Sequence, residues 1–179
     1  PSVRGRGFAG ITEAPPKKPI IAAVDGYALA GGMEIALSCD LIVANKNAKF
    51  GIPEVKRSLV AAAGGVVRLP RQIPPRIAME LALTGDFLEA TRAYDLGLIN
   101  RLTDGPAIEG ALALAESIGA NGPLAIAATK TIVTESRLWT DAEMWKKQQE
   151  IIAPVFASAD AREGAAAFAE KRKPVWQGK

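Results

Sequence analysis

The chain has 179 residues, 49% of them hydrophobic, with 22 Lys and Arg against 19 Asp and Glu and a formal net charge of +3. That length suits one domain with a sizeable core, and so mild a charge does not argue for nucleic-acid binding. Histidine is absent, which excludes Ser-His-Asp and Cys-His nucleophile arrangements and His-based metal sites.

Residues 1–18 carry Gly5, Gly7, Gly10 and then Pro15-Pro16-Lys17-Lys18, and read as a loop. The run PIIAAV (19–24) is continuously apolar and bounded by Pro19 and Asp25-Gly26, the pattern of a strand buried on both faces in a parallel sheet. A helix is predicted from about Gly31 to Cys39, and LIVAN (41–45) is a second buried strand. AKFGIPEV holds a short strand that Pro53 stops. AAAGGVVRL (61–69) is a small-residue turn opening a helix. PRIAMELALTGD has Pro75 near its start and Gly85 after its end, as a helix should. EATRAYDLG is a helix ended by Gly97, and LINRLT (98–103) a strand. Four helical stretches follow. The first ends at Asn121-Gly122, the second begins at Pro123, Thr140-Asp141 caps the third, and Asp160 caps the fourth.

The number of strands is small for a parallel sheet, which commonly has about five or six. A chain that opens with a loop and begins at Pro1 reads as the latter part of a domain, with further strands of the same sheet expected before it. No apolar run reaches the roughly 18 residues of a membrane span, and no signal-peptide pattern is present. The single cysteine, Cys39, lies in an apolar stretch, reads as a small core residue, and suits a reduced, cytoplasmic setting.

Acid–base chemistry in this chain must use carboxylates, lysine, tyrosine or backbone groups. The stretch DGYALAGGMEIALSCD (25–40) sets Glu34 among apolar residues directly after Gly31-Gly32. The glycines serve either as a packing turn or as a helix start whose free N–H groups meet an anion or a polarised carbonyl. The Lys and Ser/Thr of a nucleotide phosphate loop are lacking. Glu34 is either an ordinary first-turn acid favoured by the helix dipole or a buried functional carboxylate. Glu54 is either a solvated partner of Lys56 or Arg57 or the second acid of a pair. FAEKRKPVW (168–176) is either a cationic helix end or a phosphate site using Lys171, Arg172 or Lys173.

The segments KPIIAAVDGYALAGGMEIALSCDLIVA, AKFGIPEV, AMELALTGD, LGLIN and EGAAAFAEKRKPVW occur in this order, and together they resemble the crotonase superfamily, the enoyl-CoA hydratases and isomerases. The resemblance runs from Lys18 to Trp176. It implies an α/β fold, the crotonase-type ββα superhelix with a C-terminal helical region, its N-terminal part lying outside this sequence. It divides the chain into a core segment, 1–105, and a helical oligomerisation region, 106–179, in a homotrimer or hexamer. It implies an acyl-CoA as substrate, with no further cofactor, no metal, no nucleic-acid partner and no membrane partner. By the same resemblance the Gly31 N–H binds the thioester oxygen. Glu34 and Glu54 hold the water that adds across C2–C3 of a trans-2-enoyl-CoA, Glu34 helping to activate it and Glu54 exchanging the C2 proton. Ala62 stands where hydratases often have glycine, its N–H near that water. Lys171 approaches the CoA phosphates, and Phe168 forms a lid over that moiety. Because of Ala62, an enoyl-CoA isomerase or other crotonase-type reaction is the first alternative, and a non-catalytic acyl-CoA binder the second.

Overall fold

The computed structural model describes residues 2–179. It begins with a small antiparallel hairpin, β1 (Ser2–Val3) and β2 (Gly7–Phe8), in which Ser2 lies opposite Phe8. The sequence reading made this stretch a loop, because two-residue strands are too short to show a period. Gly5 and Gly7, at φ 71° and 76°, supply the turn.

The chain then runs twice through one plan: a strand in a first sheet, a strand in a second sheet, and a helical segment. The first pass is β3 (Ile21–Val24), β4 (Tyr27–Leu29) and α1 (Gly31–Ser38). The second is β5 (Leu41–Asn45), β6 (Lys49–Gly51), a 3-10 turn at Pro53–Arg57, then α2 (Gly65–Gln72) and α3 (Pro75–Thr84). After them come β7 (Leu88–Glu89), α4 (Ala90–Asp95), β8 (Arg101–Thr103) and α5 (Ala107–Gly119). One sheet is β3-β5-β8, parallel throughout; the other is β4-β6-β7, parallel between β4 and β6 and antiparallel between β6 and β7.

Burial follows strand position. Central β5 buries Ile42, Val43 and Ala44 in succession, as a strand covered on both faces must. Edge strand β3, read from sequence as equally buried, leaves Ala23 exposed and its other residues half-buried. Strand β4 was missed altogether, because YAL is too short to alternate visibly and directly follows a Gly turn. In LINRLT only the last three residues are strand; Leu98 and Ile99 are buried in irregular backbone. The core gathers Met33, Ala36 and Leu37 of α1 with Phe50 of β6, Leu69 of α2 and Ala90 and Ala93 of α4. Phe50 is fully buried, so truncation to alanine would cost about 3–5 kcal/mol. Helix α3 ends on Gly85 at φ 67°, whose N–H returns to Leu81 O at 2.9 Å, the left-handed cap its glycine predicts. Cys39 is the half-buried C-cap of α1, and its thiol donates to Ile35 O.

Two compact units divide the chain: residues up to Pro16 with Ile20–Leu114, and Lys17–Pro19 with Ala115–Lys179. The second holds α6 (Pro123–Glu135), α7 (Asp141–Phe156) and α8 (Ala159–Ala169). Thr140 caps α7 in a reciprocal box, the Glu143 side chain accepting from the Thr140 N–H at 3.0 Å. Ser158, not Asp160, caps α8, its hydroxyl accepting from Ala161 N–H at 3.0 Å. Asp160 is instead buried, its two oxygens accepting from Gln177 N–H at 2.8 Å and Gly178 N–H at 2.9 Å. A carboxylate that meets two chain-end amides holds the tail and is not available to cap its own helix. No single helix among the described residues is long and apolar enough to cross a membrane.

Candidate active site

In the parallel pair β4–β6, Leu29 lies opposite Gly51, so the segments that follow the two strands leave from the same end. One begins α1, with Glu34 in its first turn; the other is the 3-10 turn that carries Glu54. Ligand groups commonly gather at such carboxyl ends of parallel strands. The two acidic residues, 20 positions apart in the chain, lie on segments that strand register starts from one end of the pair.

Ala30 joins β4 to α1 at φ 51°, ψ −124°, a conformation that L side chains rarely adopt. Its N–H donates to Gly51 O at 2.9 Å, and its carbonyl accepts from Glu34 N–H at 3.0 Å. No side chain caps this helix, so the first-turn N–H groups, Gly31 among them, are left to outside acceptors. Gly31 has no space for a side chain: a Cβ there would stand 2.7 Å from the Phe8 ring. Phe8, within the stretch read as loop, therefore borders the proposed carbonyl-binding position. No periodicity in so short a hairpin could have identified it.

Glu34 is only 4% exposed, so the surface first-turn reading does not describe it. Its Oε1 accepts from Ala63 N–H at 2.6 Å and Gly65 N–H at 2.9 Å, while Oε2 accepts no hydrogen bond among the described residues. A buried carboxylate needs such donors. Here the AAAGG stretch supplies them, and it falls to one oxygen alone. Gly65 must lack a side chain, since a Cβ there would lie 3.2 Å from Glu34 Oε1 and 2.9 Å from Ala61 Cβ. The sequence suggests amide donors from this loop, and the family resemblance sets the Ala62 N–H near the water. The amides that meet Glu34 belong to Ala63 and Gly65, while Ala62 is exposed at the edge of a cavity of about 360 Å³ with Thr12, Arg68 and Arg71.

Glu54 is half-buried, and its Oε2 is fully enclosed with no hydrogen-bond partner among the described residues. It does not pair with Lys56, which bridges to Asp86 at 2.9 Å and holds that carboxyl below the usual range. Among the described residues, Glu34 therefore keeps one oxygen, and Glu54 both, without a hydrogen bond.

The cationic C-terminal stretch belongs to the second unit. Phe168 is 88% exposed, and Lys171 is exposed in the left-handed conformation at φ 54°. Arg172 forks onto Glu163 at 2.6 and 2.9 Å and onto Glu170 at 2.6 Å. This arginine thus ties the end of α8, leaving Lys171 and Lys173 as the open cations of the motif.

Residues 11–179 match the family model described as enoyl-CoA hydratase/isomerase. Enoyl-CoA hydratase EchA19 of Mycobacterium tuberculosis is 48% identical over 161 residues, covering 89% of this chain and 60% of that protein. Carnitinyl-CoA dehydratase of Salmonella typhi is 42% identical over 97% of this chain and 69% of its own length. Among solved structures, an enoyl-CoA hydratase from M. tuberculosis H37Rv superposes with a TM-score of 0.97 at 62% identity, covering 99% of this chain and 70% of that one. EchA1 from Mycobacterium marinum gives 0.96 at 61% identity, with the same coverage. The chain thus spans three fifths to seven tenths of the length of these relatives.

Proposed function

Because the chain belongs to the enoyl-CoA hydratase/isomerase family, we propose that its protein adds water across the C2–C3 double bond of a trans-2-enoyl-CoA. The observation that carries this reading is the pair of acidic residues on the two segments that leave one end of β4–β6, with Glu34 Oε2 and the enclosed Glu54 Oε2 both unbonded among the described residues. A buried acceptor without a partner costs about 1–3 kcal/mol. Glu54 Oε2 is such an acceptor, and its state is explained if it and the unbonded Glu34 Oε2 accept from one reactant water.

In this proposal Glu34, anchored through Oε1, uses Oε2 to take the proton of a water whose oxygen bonds to C3. Electrons of the double bond move to C2 and the thioester oxygen, and Glu54 delivers a proton to C2. The Gly31 N–H, at the uncapped start of α1, donates to the thioester oxygen as charge develops there. One such donor typically supplies about 3 kcal/mol in the transition state. The CoA portion arrives with the substrate, so no separate cofactor or metal is invoked. Exposed Lys171 and Phe168, contributed by a neighbouring subunit, are assigned to the CoA phosphates and adenine, and Ala62 to the rim beside the water. The names of the relatives support the reading: a hydratase adds water to an acyl-CoA, a dehydratase removes it, and one pair of acid–base groups serves both directions. A cytoplasmic homotrimer or hexamer belongs to the same proposal.

The test uses the complete protein and crotonyl-CoA. Glu34→Gln and Glu54→Gln are each expected to lower kcat by about 10²–10⁴-fold, the usual scale of positioned acid–base catalysis. Near-normal turnover in either variant rejects the assignment. Product analysis with a 3-enoyl-CoA separates hydration from double-bond migration, and acyl-CoA binding without turnover of any substrate would favour the binder.

A further inference from the structure

Resting on the hydration reading above, we infer that Arg68 is a positioning residue, which holds the 61–65 loop so that its amides fix the Glu34 carboxylate. Arg68 lies in the first turn of α2, its own N–H bonded to Gly64 O at 2.8 Å. Its side chain turns back across the loop: Nη1 donates to Ala63 O at 3.2 Å, and Nη2 donates to the carbonyl of Thr12.

Ala63 is consequently gripped from both sides. Its N–H meets the Glu34 carboxylate at 2.6 Å, and its carbonyl meets the Arg68 guanidinium. Bonds to ionised groups are stronger than neutral ones, and here two of opposite charge act on one residue. The double glycine is explained by the same arrangement. Gly64 adopts φ 106°, and a Cβ there would collide with Arg68 Nη1. A Cβ on Gly65 would press on Glu34. One glycine clears space for the cation and the other for the anion.

The second anchor is equally informative. Thr12 is 1% exposed and follows the β1–β2 hairpin whose Phe8 packs against Gly31. A planar guanidinium can reach two carbonyls at once; a lysine ammonium at the end of a flexible stem does not reproduce that fork. Arg68 thus joins the Phe8 side of the site, where the thioester oxygen is proposed to bind, to the loop that restrains Glu34.

The proposal is tested in the complete protein with Arg68→Ala and Arg68→Lys, beside Glu34→Gln. Hydrogen-exchange mass spectrometry reads the peptide carrying Ala63 and Gly65, independently of turnover. Arg68→Ala should accelerate exchange there about tenfold, the scale of one lost hydrogen bond, while the β5 peptide is unchanged. With crotonyl-CoA, kcat should fall about 10–100-fold with KM within about threefold, because the loss is one of alignment. Added guanidinium should restore part of the kcat of Arg68→Ala, and Arg68→Lys should lie between. Should the alanine variant fail to fold, the lysine variant carries the same comparison. Unchanged exchange in the 61–65 peptide overturns the proposal, whatever turnover does. So does faster exchange with full kcat when Glu34→Gln is inactive. If Glu34→Gln itself keeps its turnover, the hydration reading falls, and the exchange result alone then decides whether Arg68 holds the loop.

Discussion

Gly65→Ala isolates the hold on Glu34 without touching either carboxylate. Gly65 is the first residue of α2 and lies outside the positive-φ region, so alanine meets no backbone penalty. In an open helix the change would stabilise by roughly 0.5–1 kcal/mol. Here the new Cβ lies 2.9 Å from Ala61 Cβ and 3.2 Å from both Glu34 Cγ and Oε1. Overpacking of this kind costs about 1–3 kcal/mol, so the net expectation is a loss of about 0–2.5 kcal/mol. The methyl group also pushes at the oxygen that accepts from Ala63 and Gly65. A displacement of about 1 Å at a reacting group can cost up to 10²-fold, so kcat on crotonyl-CoA should fall by about 10–100-fold, well beyond what the stability change explains. Urea denaturation gives the first quantity, and loss of enoyl-thioester absorbance the second. Gly32→Ala is the stability control, since nothing lies within 4 Å of its Cβ; it should stabilise by about 0.5–1 kcal/mol. A Gly65→Ala protein both more stable than wild type and fully active would refute the proposed restraint of Glu34.

Three further outcomes are expected. Ala30→Gly relieves a φ of 51°; strain of about 1–3 kcal/mol less the chain entropy of glycine, about 0.5–1 kcal/mol, predicts a gain near 1 kcal/mol by urea denaturation, and a loss would show the conformation to be unstrained. Asp160→Ala leaves the Gln177 and Gly178 N–H groups without their carboxylate, so stability should drop by about 1–2 kcal/mol, with faster proteolysis of the C-terminal tail. The Arg172 guanidinium, with the Val175 N–H, holds Glu163 down to about 2 from its ordinary 4.5. A carboxylate depressed on folding stabilises above its ordinary value and loses that contribution as pH falls toward 2. Melting temperature followed through that window should therefore decline less steeply in Glu163→Gln, and added salt should weaken the effect.

Much of the secondary structure was legible in the residues themselves. LIVAN is strand because four successive apolar residues between turns can be buried on both faces, and Gly85 ends α3 because glycine accepts the left-handed cap. Glu34 already stood out by type and neighbours, since a carboxylate among Met33, Ile35, Ala36 and Leu37 must have a purpose or a partner. The loop that meets it was legible as a source of amides.

Other features depend on distance in space and leave no local trace. The register of β4 with β6 sends α1 and the Glu54 turn from one edge, yet β4 is three residues long and carries no pattern. Which amides face Glu34 is decided by the path of the chain between Leu59 and Gly65, where a shift of one residue exchanges Ala62 for Ala63. Arg68 reads in one dimension as an ordinary cation of an amphipathic helix. Its reach to Thr12, 56 positions away, exists only once the hairpin and α2 are side by side. Side-chain chemistry and local periodicity are properties of neighbours along the chain, and so the sequence alone determined the longer elements and named the acids. Hydrogen-bond partnership is a property of neighbours in space, and only the tertiary structure decided what holds Glu34 in place.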